Sequence, residues 1–364
     1  MRSFSSDLPA PTARLVKDMQ VSGLSTEPLV SVLVLAYNHE AFIREALRSV
    51  LAQDYGNYEV VIAEDASSDG TRKAIEEFLA QAAPSVRVTK IFHDLNCGLL
   101  PTLNEAAACA SGDILIFQAG DDVSLPNRLT LTVKVFSRNP RARFVWGEYF
   151  PMDEDGKLRA VSAERTEPKV FSYGRGPLLR IYAGTSPMGA AAAYHRSLFD
   201  VFGPIVPGPY GEDNCLLVRA LLLGEAHLAA EPFICWRQHA GNLSNFLSDS
   251  TSTLWRQRHL RWMESHATMS AQWRRDIDCA NKLGLISWFR RLRLRLAASR
   301  EDAVWALSAS SLRCDPWSEW LGRAGRLMLL GRPSSVLKSA WVRLSPSARE
   351  KTWIWWAKMK SGGV

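Results

Sequence analysis

The sequence predicts an α/β protein, a mostly parallel sheet with flanking helices, followed by a helical C-terminal extension. Three observations predict it. From residue 28 strand-like runs alternate with helix-like segments at short spacing, the mark of βαβ units. The 364 residues exceed one average domain only modestly, which fits one large domain with a smaller appendage better than several equal ones. Beyond about residue 250 only helical periodicities occur, with frequent Trp and Arg and without internal repeats or low-complexity tracts. The expected division is an N-terminal arm over 1–27, an α/β domain over 28–248 and a basic, Trp-rich helical region over 249–364.

"LVSVLVLA" (29–36) is a β-branched run of strand length, and in "EAFIREALRSVLAQ" the residues Ile43, Ala46, Leu47, Val50 and Leu51 repeat at helical spacing. These read as a first strand and its crossover helix. "YEVVIAE" (58–64) is a second strand. The polar turn "DASSDGT" (65–71) after it can cap a helix running through residue 81, with Ser67 and Asp69 as capping candidates. A weaker strand "VRVTKIFH" (86–93), a helix around 101–110 and a fourth strand "GDILIFQ" (112–118) follow. That strand runs straight into "AGDD", so Asp121 and Asp122 sit at the carboxyl end of a parallel strand, where α/β sheets place ligands.

"RFVWGEYF" (143–150) reads as another strand, and Asp153, Glu154 and Asp155 of "MDEDG" as a solvated turn without further role. The small residues of the Gly/Pro-rich stretch through "YAGTSPMGAAAAYH" imply close backbone approach. "YGEDNCLLVRALLLG" (210–224) restarts a helix opened by Glu212 and Asp213. A short strand through "HLAAEPFICW" then leads to "RQHAGNLS".

With 47% hydrophobic and 22% charged residues the composition is ordinary for a globular protein and excludes disordered, collagen-like and disulfide-scaffold classes. Six cysteines (Cys97, Cys109, Cys215, Cys235, Cys279, Cys314) are never closer than twelve positions, which excludes a local zinc ribbon or CxxC pair and predicts reduced, mostly buried thiols. The longest clean apolar stretch, "PLVSVLVLAY", is about half of the ~20 residues a bilayer crossing needs, and the N-terminus lacks the apolar core of a signal peptide. A cytoplasmic location is therefore expected. The net charge of +7 is unevenly placed: residues 1–249 hold 23 Lys/Arg against 29 Asp/Glu, net −6, and residues 250–364 hold 21 against 8, net +13. The same last third holds eleven of the thirteen tryptophans, so its surroundings are expected to differ from those of the rest.

Five blocks, sharing order and spacing, resemble family-2 glycosyltransferases. They are "PLVSVLVLAYNHEAFIREALRSVLAQDYGNYEVVIAEDASSDGT", "NCGLLPTLNEAAACASGDILIF" with the family's Asn-x-Gly, "QAGDD" for its DXD-type metal motif, "YGEDN" for its ED motif, and "RQHAGNLS" for its late His/Asn segment. The likeness covers residues 28–245 and stops before the tail. It implies a GT-A fold, Rossmann-like, and an inverting transferase that moves a sugar from a nucleotide-diphospho-sugar, UDP-linked, to a saccharide acceptor. The expected setting is bacterial cell-surface polysaccharide synthesis, with the acceptor on a lipid carrier.

The same residues suit that chemistry on physical grounds. A donor diphosphate needs a divalent cation held by one or two carboxylates, and hard oxygen ligands select Mg²⁺ or Mn²⁺ over zinc. Asp121 and Asp122 fit that role, with Asp121 preferred. An isolated Asp pair could also be a solvated cap. The family motif reads Asp-x-Asp-Asp, whereas Ala119 occupies its first position here, which leaves ribose recognition to another group and the shares of the two aspartates open. His239 matches a histidine that approaches the metal or diphosphate in relatives, although a lone His is as readily structural. Asp65, with Ala36 and Tyr37 at the end of the first strand, can offer the N3–H of uracil an acceptor and a flat apolar surface, and Asp121 belongs to the same nucleotide pocket. Asp213 is the expected general base and Glu212 the expected acceptor-side or loop-holding carboxylate. An unplaced pair at a helix start would read as ordinary N-terminal acids.

For the tail, Trp and Arg/Lys fit a face lying on an anionic bilayer, on the inner side of the cell membrane. "WFRRLRLRLAASR" (288–300) is the densest example, although its Leu/Arg alternation has period two. A packed helical subdomain with solvated arginines is the other reading. Two rival functions use the same residues. One is a catalytically silent carbohydrate-binding or scaffold protein, suggested by Ala119. The other is an RNA-binding protein using the Arg/Trp tail, for which the chain offers no nucleic-acid motif.

Overall fold

The computed structural model describes residues 24–159, 167–172, 187–208, 211–242, 253–313, 315–331 and 333–336. Two compact units are present: Met1–Asn245 with Arg275–Arg291, and Phe246–Arg274 with Leu292–Val364. The stretch 275–291 thus groups with the α/β portion rather than with the tail.

The first half follows the expected order: β1 (Val30–Ala36), α1 (Ile43–Leu51), β2 (Tyr58–Glu64), α2 (Thr71–Ala82), β3 (Val88–Phe92), α3 (Leu99–Cys109) and β4 (Ile114–Ala119). β1 and β2 are buried along their whole length, which is why they read as unbroken apolar runs rather than alternating ones. After β4 come β5 (Val123–Ser124), α4 (Arg128–Arg138), β6 (Ala142–Met152), β7 (Lys169–Ser172), a 3₁₀ turn (Gly189–Ala191), β8 (Ala192–His195), α5 (Ser197–Asp200), α6 (Glu212–Leu223) and β9 (Glu225–Arg237).

The strands form one sheet in the order β3-β2-β1-β4-β8-β6-β9-β5, with β7 on β9. β1 pairs in parallel with both β2 and β4, in a register that brings Ala36 beside Glu64 and Leu35 beside Ala119. Three strands therefore end at one level, and the loops after them meet. β8 runs antiparallel between β4 and β6, and β6 pairs in parallel with β9. The core lies between this sheet and its helices, built from Val32, Val34, Ile62, Ile116 and Val145 on the strands and Ile43, Leu47, Ile75, Leu129 and Phe136 on the helices.

Two expectations differ from the structure, and one helix falls where the sequence pattern marks no element. β9 is a thirteen-residue strand rather than a short one. The helix α4, "RLTLTVKVFSR", gives no helical signal by alternation, yet it buries Leu129, Thr132, Val133 and Phe136, the i, i+3, i+4, i+7 face. Among the described cysteines, all unpaired, Cys97 and Cys109 are exposed and only Cys215 and Cys235 are buried, so "mostly buried" does not hold.

Three further helices are α7 (Thr253–Lys282), α8 (Trp288–Arg313) and α9 (Trp317–Leu329). The period-two stretch 288–300 is helical, because it buries Leu294 and Ala298, one turn apart, and not every second residue. The second unit has its own small core of Leu307, Trp320, Ala324 and Leu327. His266 packs on Trp305 within it, with ring centroids 3.9 Å apart, and Arg313 pairs with Glu264. Of the tail tryptophans with described side chains, Trp273 and Trp320 are buried, while Trp288 and Trp317 are exposed. Trp353, Trp355 and Trp356 lie outside the described residues. None of the helices, among the described residues, is long and apolar enough to cross a membrane.

Within the first unit, Arg219 of α6 is fully buried and its Nε lies 2.9 Å from Asp276 Oδ2, while its Nη1 donates to the carbonyls of Leu198 and Gly203. A buried pair adds little net stability, but removing one member strands the other charge. Asp276→Ala should lower the unfolding free energy by about 3–5 kcal/mol in denaturant titration, and the double variant Arg219→Met/Asp276→Leu should recover most of it. Equal loss in the single and double variants would contradict this account of the pair.

Candidate functional site

The loops after β1 and β2 are bound to each other by short polar side chains. Asn38 donates its backbone N–H to Ser67 Oγ and accepts at Oδ1 from the Ser68 N–H. Asp69 accepts from the N–H and hydroxyl of Thr71 and from the Glu40 N–H, and Thr71 Oγ1 in turn accepts from the His39 N–H. Gly70, and neither Ser67 nor Asp69, is the N-cap of α2; Asp69 binds the N–H of the helix's first residue and fixes the loop that carries His39.

Directly behind these loops stands the Asp pair. Asp121 is 7% exposed, and its Oδ2 lies 3.0 Å from His239 Nε2 and 3.7 Å from His39 Nε2. Burial works to raise the Asp121 carboxyl, but the His239 hydrogen bond and the two imidazoles outweigh it and hold the group below its ordinary value. Burial likewise lowers His39 despite Asp121, which favours the neutral ring. Asp122 faces elsewhere: its Oδ1 accepts the Arg237 backbone N–H at 2.8 Å, and it is 2% exposed. Burial, together with Asp121 alongside, pushes Asp122 well above the usual carboxylate range.

Two buried arginines brace this loop. Arg237, at the end of β9, donates from Nε to the Asp121 carbonyl, from Nη1 to the Glu154 carbonyl and from Nη2 to Glu45 of α1. Arg128, at the start of α4, donates to Gln118 Oε1, Ser124 Oγ and the carbonyls of Phe117, Ala190 and Ala192. Gln118 Nε2 donates to the carbonyls of Ala119 and Asp122, one on each side of Asp121. Complete burial pulls the Arg128 guanidinium down to about 9, against the opposing pull of Asp122. Sequence reasoning missed His39, Arg128 and Arg237. A polar residue directly after a buried strand was the available signal for His39, and an Arg opening a helix offered none.

Arg128 also reaches the other candidate residues, because Ala190 and Ala192 flank the turn that meets Glu212. A Cβ on Gly189 would fall 2.2 Å from Glu212 Oε1, so the expected close approach of the small-residue stretch is to this carboxylate. Burial pushes Glu212 up, and burial plus the neighbouring Glu212 pushes Asp213 well above the usual range, against the N–H groups of Asn214 and Gly189. The Tyr194 hydroxyl of β8, buried and without a hydrogen-bond partner among the described residues, is raised by burial and by these same two carboxylates.

Asp65 directly follows β2. Its Oδ1 accepts from the Cys97 N–H and lies 2.8 Å from His93 Nδ1, and its Oδ2 accepts from the Gly98 N–H. The Asn-x-Gly block thereby gains its reason, since Gly98 has φ +87°, a conformation that favours glycine, and presents its N–H to Asp65. His93 Nε2 meets Glu105 at 3.0 Å. Burial works to lower His93, but the hydrogen bonds with Asp65 and Glu105 prevail and raise it. The ligand atoms of Asp65, His93 and Cys97 all lie within 4.8 Å of one another, a set able to hold a metal ion. Ala36 is buried beside this loop, its carbonyl accepting the Asp65 N–H, and Tyr37 is 45% exposed at its rim.

The loop geometry yields a test. Asp122→Ala leaves the Arg237 N–H buried without an acceptor and should cost about 1–3 kcal/mol of stability, whereas Asp122→Asn keeps an acceptor oxygen and should cost distinctly less. Urea titration of the two variants checks this, and equal losses would count against a bracing role for Asp122.

Comparison with known proteins places this geometry among relatives. Residues 31–203 match the family described as Glycosyl transferase family 2. A Nostoc protein described as an uncharacterized glycosyltransferase is 28% identical over 229 residues, covering 62% of this chain and 68% of its own. An Escherichia coli protein named UDP-Glc:alpha-D-GlcNAc-diphosphoundecaprenol beta-1,3-glucosyltransferase WfgD is 31% identical over 121 residues, 33% of this chain and 46% of its own, so the chain spans less than half of that relative. Among solved structures, S. aureus TarS 1-349 in complex with UDP-GlcNAc aligns with a TM-score of 0.58 at 18% identity, covering 83% of this chain and 81% of TarS.

Proposed function

Residues 31–203 belong to glycosyl transferase family 2 within a GT-A fold, and from that premise we propose that the chain transfers a sugar, with inversion, from a UDP-sugar to a lipid-linked saccharide acceptor of the cell surface. The observation that carries the reading is the Asp121 carboxylate at the end of β4, flanked by His239 and His39 and tied through Gln118 and Arg128 to the turn that holds Glu212 and Asp213.

Asp121 and His239 suit Mg²⁺ or Mn²⁺: a carboxylate held below its ordinary value, with His239 Nε2 3.0 Å from its Oδ2, offers a hard oxygen and an imidazole nitrogen that such a cation accepts. Asp121 and His239 would hold the ion, and Asp122, turned to the Arg237 N–H, would brace the loop. When bound, the ion supplies Lewis-acid stabilisation of the diphosphate leaving group. Ala119 leaves the ribose without its usual carboxylate partner. Asp65 retains unused acceptor capacity at Oδ2 for a base N3–H, with Ala36 and Tyr37 beside it.

Asp213 takes the acceptor hydroxyl proton as the oxygen attacks the anomeric carbon from the face opposite the diphosphate. A carboxylate raised by burial is the stronger base near neutral pH, and Glu212 both raises it and orients the acceptor-side turn. WfgD acts, by its name, on a diphosphoundecaprenol-linked sugar, which supports a lipid-linked acceptor for this chain. Trp288 and Phe289, 64% and 61% exposed at the head of α8, suit contact with an anionic bilayer.

A screen of nucleotide-sugars for hydrolysis or transfer, with Mn²⁺ and with EDTA, tests the reading. Turnover with a UDP-sugar that EDTA removes is expected. Absence of turnover with every donor would favour the silent carbohydrate-binding reading that Ala119 suggests. Asp213→Asn should keep donor affinity and lose about 10²–10⁴-fold in turnover, measured by single-turnover kinetics, and wild-type rates would place the base elsewhere. For the surface contact, Trp288→Ser/Phe289→Ser should weaken cosedimentation of the full-length protein with phosphatidylserine vesicles, and binding should fall as salt rises. Binding indifferent to both would rule out this face as the contact, and no cosedimentation even at low salt would rule out the bilayer.

A further inference from the structure

We infer that Asp65, His93 and Cys97 form a separate cation site, one that selects a thiophilic divalent ion of the Zn²⁺ class and, when filled, shuts the nucleotide base out. The exclusion rests on the reading that Asp65 accepts the base N3–H; the cation site does not.

Three loops build it. Asp65 follows β2, His93 follows β3, and Cys97 stands just before α3. The parallel pairing of β2 with β3 sets Glu64 beside Phe92 and so brings the first two residues level. The Cys97 N–H, donating to Asp65 Oδ1 at 2.7 Å, fastens the third. One ligand atom from each residue lies within 4.8 Å of the other two. Around a tetrahedral Zn²⁺, with bonds of about 2.0–2.3 Å, ligand atoms stand about 3.3–3.8 Å apart, so small side-chain adjustments close the set.

The histidine is oriented as a ligand. Its Nδ1 points at Asp65 Oδ1, 2.8 Å away, while its Nε2 meets the Glu105 carboxylate of α3 at 3.0 Å. A carboxylate on the far nitrogen is the usual partner of a metal-bound imidazole, where it fixes the tautomer and the plane of the ring. Asp65 is buried and fixed as well, by the N–H groups of Cys97 and Gly98. Cys97 is exposed, and its thiol donates to the Leu95 carbonyl at 3.3 Å. Two ligands are thus seated and the third stands at the mouth, which leaves a fourth position to water.

Ligand type then decides the ion. Mg²⁺ takes oxygen, whereas thiolate with imidazole draws Zn²⁺, so this site and Asp121 sort different cations. On binding, Cys97 gives its thiol proton to water, as does His93 any proton on Nδ1. The bound ion then occupies the Asp65 lone pairs that a base N3–H would use.

The full-length protein is titrated with Co²⁺, whose thiolate charge-transfer absorption reports a sulfur ligand, and the Co²⁺ is then displaced with Zn²⁺. Wild type, Cys97→Ser, His93→Gln and Glu105→Gln are compared, with thermal melts to verify folding. The band is expected in wild type, removed by Zn²⁺ and not by Mg²⁺, and absent in Cys97→Ser. Zn²⁺ affinity should fall about 10–100-fold in Glu105→Gln and at least as far in His93→Gln. In a second arm UDP affinity is measured at saturating Mg²⁺. Zn²⁺ should weaken UDP binding in wild type, and Cys97→Ser, with ordinary UDP affinity in its absence, should escape. No band, or one that survives Cys97→Ser, overturns the cation site. UDP affinity that Zn²⁺ leaves unchanged, or lowers equally in wild type and Cys97→Ser, overturns the exclusion while the cation site stands. Asp65→Ala without Zn²⁺ tests the base reading by itself: undiminished UDP affinity overturns it, and a loss keeps it whatever the Co²⁺ result.

Discussion

Two adjacent carboxylates buried at the end of a sheet strand are the constraint to which the rest of the site answers. Removing ionised carboxylates from water costs several kcal/mol each unless partners compensate, and like charges side by side raise that cost. The chain meets it with cations and N–H groups from distant segments. Arg237 supplies its backbone N–H to Asp122 and its side chain to the Asp121 carbonyl, Arg128 lies beneath through Gln118, and two imidazoles stand at Asp121. The two aspartates are thereby driven apart in character. Asp121 is held low and faces the imidazoles, while Asp122 is pushed up and faces backbone.

The fold makes that arrangement possible through register. Because β1, β2 and β4 are parallel and end at one level, His39, Asp65 and Asp121 issue from neighbouring loops without any long-range search by the chain. β8, antiparallel and small-residued, then brings Tyr194 and the preceding turn under Arg128 and against Glu212. One buried guanidinium consequently contacts both the strand that leads into the Asp pair and the turn that packs on Glu212. Displacing it would disturb both at once, a coupling that neither motif expresses alone.

The first half of the fold was legible because burial on both faces writes unbroken β-branched runs, and the helices between them carry clear 3.6-residue spacing, as in Ile43, Leu47 and Val50. Legibility failed where local pattern and burial disagree. "RLTLTVKVFSR" and "RLRLRLAAS" alternate like strands, yet in each only the residues three, four or seven apart are buried, so tertiary contact decides the helix. β8 was invisible because Ala-Ala-Tyr-His is short, with Tyr alone favouring a strand, and is placed by its two neighbours. At the site, the Asp pair, Asp65, His239, Glu212 and Asp213 stood out through their position at strand ends and a helix start. The partners that set their charge states did not, since pairings such as Asp122 with Arg237, 115 positions apart, leave no local trace.

In the proposed reaction a cation meets the donor diphosphate at the Asp121 carboxylate and not at the Asp65, His93 and Cys97 cluster. Anomalous diffraction from crystals of the full-length protein grown with Mn²⁺ and UDP tests this most directly. The account predicts a manganese peak beside Asp121 and His239 with the diphosphate against it and the uracil near Asp65. A peak at Asp65, His93 and Cys97, or a nucleotide bound with no manganese near Asp121, would contradict it.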